Sequence, residues 1–272
     1  MTDPTFAAPL PAHLVRLGRA GPGMTPPVRK FHLCSIVIAR SGAARHSGRM
    51  AVPPPFSFAG QSWQALPQGA LFWRERAALI VADLHFEKAS AFAAQGQMLP
   101  PYDSPATLDA LEAIITATAP REVWCLGDSF HDMGARDRMS AESCERLARL
   151  TRARRWTWIT GNHDPAPAGD LGGDVADETQ IDGLLLRHEA QASETRPEIS
   201  GHFHPKWRVT LRGRSVSRRC FVLGAHRLIL PAFGALTGGL DAASPVIRTL
   251  VGHRSEALVP LAGRLLRFAV QA

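Results

Sequence analysis

Three apolar runs most restrict what this chain can fold into. "AALIVADLH" (77–85), "EVWCLGD" (122–128) and "WTWIT" (156–160) are short, and each leads into a knot of Gly, Asp, Asn or His. Uninterrupted apolar runs of this length predict strands buried on both faces, as in a parallel sheet covered by helices. Helical segments are predicted between them. One follows near 86–95. A second lies within "PPYDSPATLDALEAIITATAP", with Ser104 as N-cap, Pro105 at the first helical position and apolar residues at 108, 111, 114 and 115. A third covers 141–153, capped by Ser140. Short strands at 57–65 and 71–74 precede them all.

The second half changes character. "GLLLRHE" (183–189), "EIS" (198–200), "WRVTLRG" (207–213), "RRCFVLG" (218–224) and "RLILPAFG" (227–234) read as short strands with Gly, Pro and Arg between them. They predict a second, largely antiparallel sheet packed beside the first. The expected class is α/β in one domain over 50–272, either an α/β sandwich or a four-layer α/β/β/α arrangement.

At 45% apolar and 20% charged, 272 residues suffice for a substantial core and exclude a disordered chain. No run approaches the roughly 20 apolar residues of a spanning helix. The longest apolar stretch near the N-terminus, Leu33 to Ala39, is short for a signal peptide and lies well inside the chain. A cytoplasmic, non-membrane protein is expected. The net charge of +7 is unevenly placed. Residues 1–49 hold seven bases (Arg16, Arg19, Arg29, Lys30, Arg40, Arg45 and Arg49) against Asp3, so residues 50–272 are nearly balanced at +1. The excess belongs to a Pro-, Gly- and Arg-containing leader, expected to be poorly ordered, with Met50 as an alternative start. Bulk charge therefore does not identify a nucleic-acid binder. Cys34, Cys125, Cys144 and Cys220 are far apart, which excludes a thiolate zinc knuckle and predicts reduced thiols.

The eleven histidines say more. In open α/β sheets ligands gather beyond the carboxyl ends of the strands. There the chain places Asp83-x-His85, Gly127-Asp128, Gly161-Asn162-His163-Asp164, His188 and Gly201-His202-x-His204. Each group alone has an ordinary reading as a turn, a cap or a satisfied histidine. Five of them in order, each at the end of an apolar run, point to a shared site. Mixed imidazole and oxygen donors suit Mn, Fe, Zn or Ni better than Ca or a thiolate-bound metal. Two such ions ~3.5–4 Å apart, sharing a carboxylate, are the apparatus of two-metal phosphoester hydrolysis.

These residues resemble the calcineurin-like metallophosphoesterase superfamily, whose pattern is D-x-H, GD, GNH[DE], a lone H and G-H-x-H, over roughly residues 70–235. The resemblance implies the α/β/β/α sandwich and two divalent metal ions. One would be held by Asp83, His85 and His204, the other by Asn162, His188 and His202, with Asp128 bridging. It further implies that His163 contacts the substrate phosphate and assists the leaving group, with Asp164 at the same loop as an orienting carboxylate. In one respect the chain departs from many members. "GDSFHD" puts His131 and Asp132 where an acid or amide leading into an Arg is common. With "ADLHFEKA", "LPPYDSPATL" and "LILPAFGALTGG", this is similar to the narrower ligase-associated DNA damage response endonuclease (PdeM) branch. That branch implies Mn²⁺, a DNA substrate, and a DNA ligase and helicase as partners.

Many bases fall in or near connections: Arg136, Arg138, Arg152, Arg154, Arg155, Lys206, Arg208, Arg212, Arg214, Arg218 and Arg219. Lys206 and Arg208 directly follow the G-H-x-H turn and are candidates to meet substrate phosphates, as is His131. Trp207 either stacks a base or packs under its strand. His131 has a second reading, as a hydrogen-bond partner behind the ligands.

Overall fold

The computed structural model describes residues 52–164, 169–211 and 213–270. The predicted leader and Cys34 lie outside them. Seven strands form one sheet in chain order: β1 (Phe56–Phe58), β2 (Gln61–Ala65), β3 (Leu71–Trp73), β4 (Ala78–Val81), β5 (Glu122–Leu126), β6 (Arg155–Ile159) and β7 (Asp174–Ala176). The first four pair antiparallel, and β4 to β7 pair in parallel. Helices α1 (Lys88–Ala94), α2 (Asp103–Thr118), α3 (Ala135–Arg138) and α4 (Ala141–Arg152) make the crossovers.

The second sheet also has seven strands. They are β8 (Glu178–Ile181), β9 (Leu184–Arg187), β10 (Glu198–Ser200), β13 (Phe221–Leu223), β14 (Arg227–Ile229), β15 (Glu256–Leu261) and β16 (Arg264–Ala269), in the order β16-β15-β13-β14-β10-β9-β8. Its outer pairings are antiparallel, whereas β9, β10 and β14 run in parallel. Helix α5 (Pro245–Val251) completes it.

Period-two alternation explains why the central strands read as continuous apolar runs. Leu79 and Val81 of β4, Val123 and Cys125 of β5, and Trp156 and Trp158 of β6 pack with Leu108, Leu111, Ile114 and Leu147 of α2 and α4. The alternate residues Ala78, Ile80, Trp124, Leu126 and Ile159 meet Leu184, Leu186, Ile199, Leu228 and Leu258 of the second sheet. On that sheet's far side, Val222, Ile229, Ala257 and Val259 pack against Ile247, Leu250 and Val251 of α5. The layers are α/β/β/α, as expected. Among the described residues no helix is long and apolar enough to cross a membrane.

Local expectations fare unevenly. Ser140 caps α4 by accepting the Ser143 amide. Ser104 does not cap α2, which begins at Asp103 after Tyr102. The Ser104 hydroxyl instead accepts the Glu87 amide at 2.8 Å, and Asp103 accepts that of Ala89 at 2.9 Å. The start of α1, with no side-chain cap of its own, is thus capped from its neighbour. The predicted strand at 207–213 is not in the second sheet. β11 (Lys206–Leu211) pairs with β12 (Arg214–Arg219) as a separate ribbon, with a single further bridge from Lys206 to Asp241. The run "RSVSRR" has no apolar face to bury against a sheet. The sequence reading missed β7, β8, α3, most of β12, α5, β15 and β16. Pro260 interrupts the apolar pattern of β15, yet it lies beyond 256–258, the stretch paired with β13, so no bond to that strand is lost.

Candidate metal centre

Parallel strands from both sheets deliver their carboxyl ends to one place. Asp83 and His85 follow β4, Asp128 follows β5, and 161–164 follow β6; His188 follows β9, and His202 and His204 follow β10. The loops are tied together by backbone. Asp83 N donates to Gly127 O at 3.2 Å, His85 N to Asp128 O at 2.9 Å, and Gly201 N to His188 O at 2.9 Å. The two sheets are joined where His202 N donates to both oxygens of Asp83, at 3.2 and 3.0 Å.

Five of these residues occupy the left-handed region: Asp83, His85, Asp128, His202 and His204 have φ between 45° and 69°. Each such residue costs about 1–3 kcal/mol and persists only where its surroundings enforce it. A plain turn would be relieved by Gly or Asn at these positions. The flanking glycines have a different cause, close approach. A Cβ on Gly161 would lie 2.2 Å from Asp128 N, and one on Gly201 2.5 Å from Asp83 Oδ2.

Two groups of donor atoms converge: Asp83, His85 and His204, and Asp128, His188 and His202. In the first, His204 Nε2 is 3.2 Å from Asp83 Oδ1 and 3.3 Å from His85 Nε2. In the second, His188 Nε2 and His202 Nδ1 are 3.1 Å apart, and Asn162 Oδ1 is 3.0 Å from each. Asp128 Oδ1 accepts the His163 amide at 3.0 Å. Its other oxygen, Oδ2, lies 3.4 Å from His188 Nε2 and 3.8 Å from His85 Nε2, between the two groups.

The donor chemistry fits cations. His188 Nδ1 faces the Leu126 carbonyl at 3.0 Å, so in the neutral ring its hydrogen sits there and Nε2 is a lone pair. That lone pair points at Asn162 Oδ1 and Asp128 Oδ2, which have no hydrogen to give. Three acceptors meeting beside the buried His188 and Asp128 favour a positive charge there. In the metal-free protein a proton on His188 meets part of this need. Burial opposes its charge, but the Asp128 hydrogen bond and the charges of Asp83 and Asp128 raise its pKa to about 9. For Asp128 burial likewise opposes ionisation, and His188 outweighs it, keeping the carboxyl below the usual carboxylate range. Burial holds His85 neutral, with its pKa lowered to about 2.

His163 is half-buried beside this centre, with Nε2 3.9 Å from Asp128 Oδ2. Its Nδ1 hydrogen goes to the His131 carbonyl at 2.8 Å. Asp164, expected to orient it, is turned elsewhere: one oxygen accepts the Phe130 amide at 2.9 Å, fastening the loop to the residues after Asp128. Burial, with Asp128 nearby, raises the Asp164 carboxyl pKa to about 7.

The His131 ring lies behind the centre. Its Nδ1 is 3.4 Å from His85 Nδ1, and it is stacked between His163 and Phe92. This is the geometry of the second reading given above, a partner that orients a ligand from behind. Lys206 Nζ donates to Thr237 O at 3.0 Å, and Arg208 meets Gly239 O at 3.5 Å and Asp241 at 3.9 Å, so both are turned onto the 237–241 segment. Trp207 does not offer its face to a base: it is stacked on Phe268, centroids 5.0 Å apart.

Two residues escaped the sequence reading, and the role of a third, Arg219, was not read. Phe92 closes the histidine stack. Lys88 is half-buried, its pKa lowered by burial against the pull of Asp128, Asp103 and Asp83; its closeness to "DLH" in sequence was a usable signal. Half-buried Arg219 donates to the carbonyls of Gln68, Phe233 and Gly234, and Gly234 N in turn binds Asp83 O at 3.1 Å. Nothing in "SVSRRC" distinguishes that arginine from a solvated one.

No family model and no curated protein matches the chain. A protein of unknown function from Aquifex aeolicus, AQ665, matches over 47% of this chain and 78% of its own, at 17% identity and a TM-score of 0.33. The chain is more similar to the nuclease MPE of Pseudomonas putida. That match covers 79% of this chain and 98% of the nuclease, with 29% identity and a TM-score of 0.63. The chain thus shares its α/β fold with a nuclease and carries two His/Asp groups suited to metal ions.

Proposed function

We propose that this protein is a two-metal phosphodiesterase that cleaves nucleic acid, with DNA as its substrate. The observation that carries the reading is Asp128 Oδ2, placed between two converging donor groups that each draw residues from both sheets. Asp83, His85 and His204 would hold one ion; Asn162, His188 and His202 the other; Asp128 would serve both. When bound, a pair of divalent cations supplies the Lewis acidity that polarises a phosphoryl group and lowers the pKa of water.

The remaining work falls to the chain. Asp83 and Asp128 are aimed by the amides of His202 and His163, so neither must reorient during turnover. His163, anchored through Nδ1, keeps Nε2 toward the reacting phosphoryl group and delivers a proton to the departing oxygen. His131 holds His85 and His163 in place. Likeness to a nuclease over nearly that protein's full length supports a phosphodiester substrate. Manganese as the native ion, a role in DNA repair, and a ligase and helicase as partners rest on the resemblance of the motifs.

The test is hydrolysis of bis-p-nitrophenyl phosphate and of single-stranded DNA by chelator-stripped protein reloaded with Mn²⁺. Cleavage of both, lost in Asp128→Asn, is expected. Cleavage of p-nitrophenyl phosphate in strong preference to the diester would replace this reading with a phosphomonoesterase.

A further inference from the structure

The ribbon β11–β12 stands apart from both sheets and begins two residues after His204. Residues 206–219 contain six Arg or Lys and no acid, whereas the rest of the chain from residue 50 has more acids than bases. Elsewhere three of the arginines singled out from the sequence have acidic partners, Arg136 with Asp170, Arg138 with Asp132 and Arg155 with Glu122, while Arg154 donates to the Leu150 carbonyl. On the described part of the ribbon such pairing is sparse. Arg208 meets a carboxylate only at 3.9 Å, and Arg218 donates to a backbone carbonyl, Ser217 O, at 3.1 Å. Arg214 and Arg218 are exposed, as are the hydroxyl residues Thr210, Ser215 and Ser217.

The register distributes this charge over both faces. Arg208 lies opposite Ser217, Arg218 opposite Trp207, and Arg214 opposite Leu211. The face that carries Arg214 and Arg218 also carries Trp207, Val209 and Val216, and at the root Trp207 rests on Phe268. The root is rigid in other ways. Lys206 N donates to Leu240 O at 2.8 Å, and half-buried Arg219 donates to the carbonyls of Phe233 and Gly234, whose backbone binds Asp83. Six residues per strand give the ribbon a length of about 17 Å. That distance matches about five phosphates at 3.4 Å along one strand of a duplex.

We infer that the β11–β12 ribbon is a phosphate rail, binding the backbone of the nucleic-acid strand that leaves the metal centre. The inference rests on the proposed nuclease activity for its substrate class, and it extends the site beyond the metal ligands. It assigns Arg214 and Arg218 to sequence-independent backbone contact. Their contribution should therefore be ionic and salt-dependent.

The test compares the full-length protein with Arg214→Ser/Arg218→Ser. Binding of a labelled single-stranded oligonucleotide is followed by anisotropy in chelator, which prevents cleavage, between 50 and 200 mM salt. Hydrolysis of bis-p-nitrophenyl phosphate is measured with Mn²⁺. The small diester should be cleaved at the parental rate, which also reports that the variant is folded. Oligonucleotide binding should weaken, and the log–log salt slope should fall by about 1.4, two contacts at ~0.7 each. Over a fourfold change in salt that is about a sevenfold smaller loss of affinity. An unchanged slope, or a parent that binds no oligonucleotide, would overturn the rail. A parent that binds DNA and cleaves the small diester but not DNA would instead overturn the nuclease reading, leaving the rail to be judged by its slope.

Discussion

His131 holds His163 from two directions. Its carbonyl oxygen accepts the Nδ1 hydrogen of His163 at 2.8 Å, and its ring lies on the His163 ring, centroids 5.0 Å apart and 20° from parallel. The backbone contact survives any substitution at 131, and the ring contact does not. His163→Ala should therefore keep its metal content and lose about 10²–10⁴-fold in kcat, the usual contribution of one acid or electrostatic group. His131→Ala also removes the group facing His85 Nδ1, so it should weaken metal affinity by about 10–100-fold. Metal analysis and kinetics on the two variants check the pair. Metal loss in His163→Ala would make it a ligand.

Asp128→Asn should lower the occupancy of both ions together, because its Oδ2 stands between the two groups. Loss of one ion with the other retained would show that the carboxylate serves a single group. Bound Mn²⁺ per chain, after desalting, is the measurement.

Loading should depend on pH in a definite direction. In the metal-free protein His188 carries a proton up to a pKa of about 9, and a metal must displace it. Below that pH the free centre binds one more proton than the loaded one, so affinity rises with pH, by up to about tenfold per unit, and levels off near 9. Titration with Mn²⁺ at pH 6, 7 and 8, with an indicator for released protons, tests this. Equal affinity at all three would contradict it.

Gly161→Ala should cost both metal and stability. Its Cβ would fall 2.2 Å from Asp128 N and 2.3 Å from Asp128 Oδ1, so the ligand or the loop must move. Overpacking of this kind costs about 1–3 kcal/mol or more. Gly60→Ala, in a turn with open space around it and φ +75°, should lose about 1 kcal/mol and keep full metal occupancy. Thermal melts and metal counts on both variants separate backbone strain from damage to the site.

Arg227→Met should destabilise the second sheet by about 3–5 kcal/mol. Arg227 Nε lies 2.5 Å from Glu198, which is fully buried, and its other nitrogens bind the carbonyls of Leu250, Gln191 and Glu194. Burial already raises the Glu198 pKa despite this partner. Without it, the native state would hold a proton that the unfolded chain releases, so the deficit should grow as pH rises and be smaller at pH 5 than at pH 8. Urea unfolding at both pH values reads this directly.

Strand identity in the core and the metal-directed residues were both legible in order along the chain, for one physical reason. A strand buried on both faces must be apolar throughout, so the polar residue that ends it stands out, as Asp83, Asp128 and His188 do. Motif spacing therefore marked nine residues that the fold brings to one place. Orientation was not legible. That Asp164 serves the Phe130 amide, that the His131 carbonyl holds His163, and that Trp207 lies on Phe268 are decided by which backbone passes nearby. The same is true of Arg219, half-buried on the Phe233–Gly234 backbone that binds Asp83, and of Arg214 and Arg218, exposed on the ribbon: arginines close together in one short segment, distinguished only by what packs over them. Residue type sets which chemistry a side chain can perform, and the contacts that aim it come from segments 32 to 61 residues away.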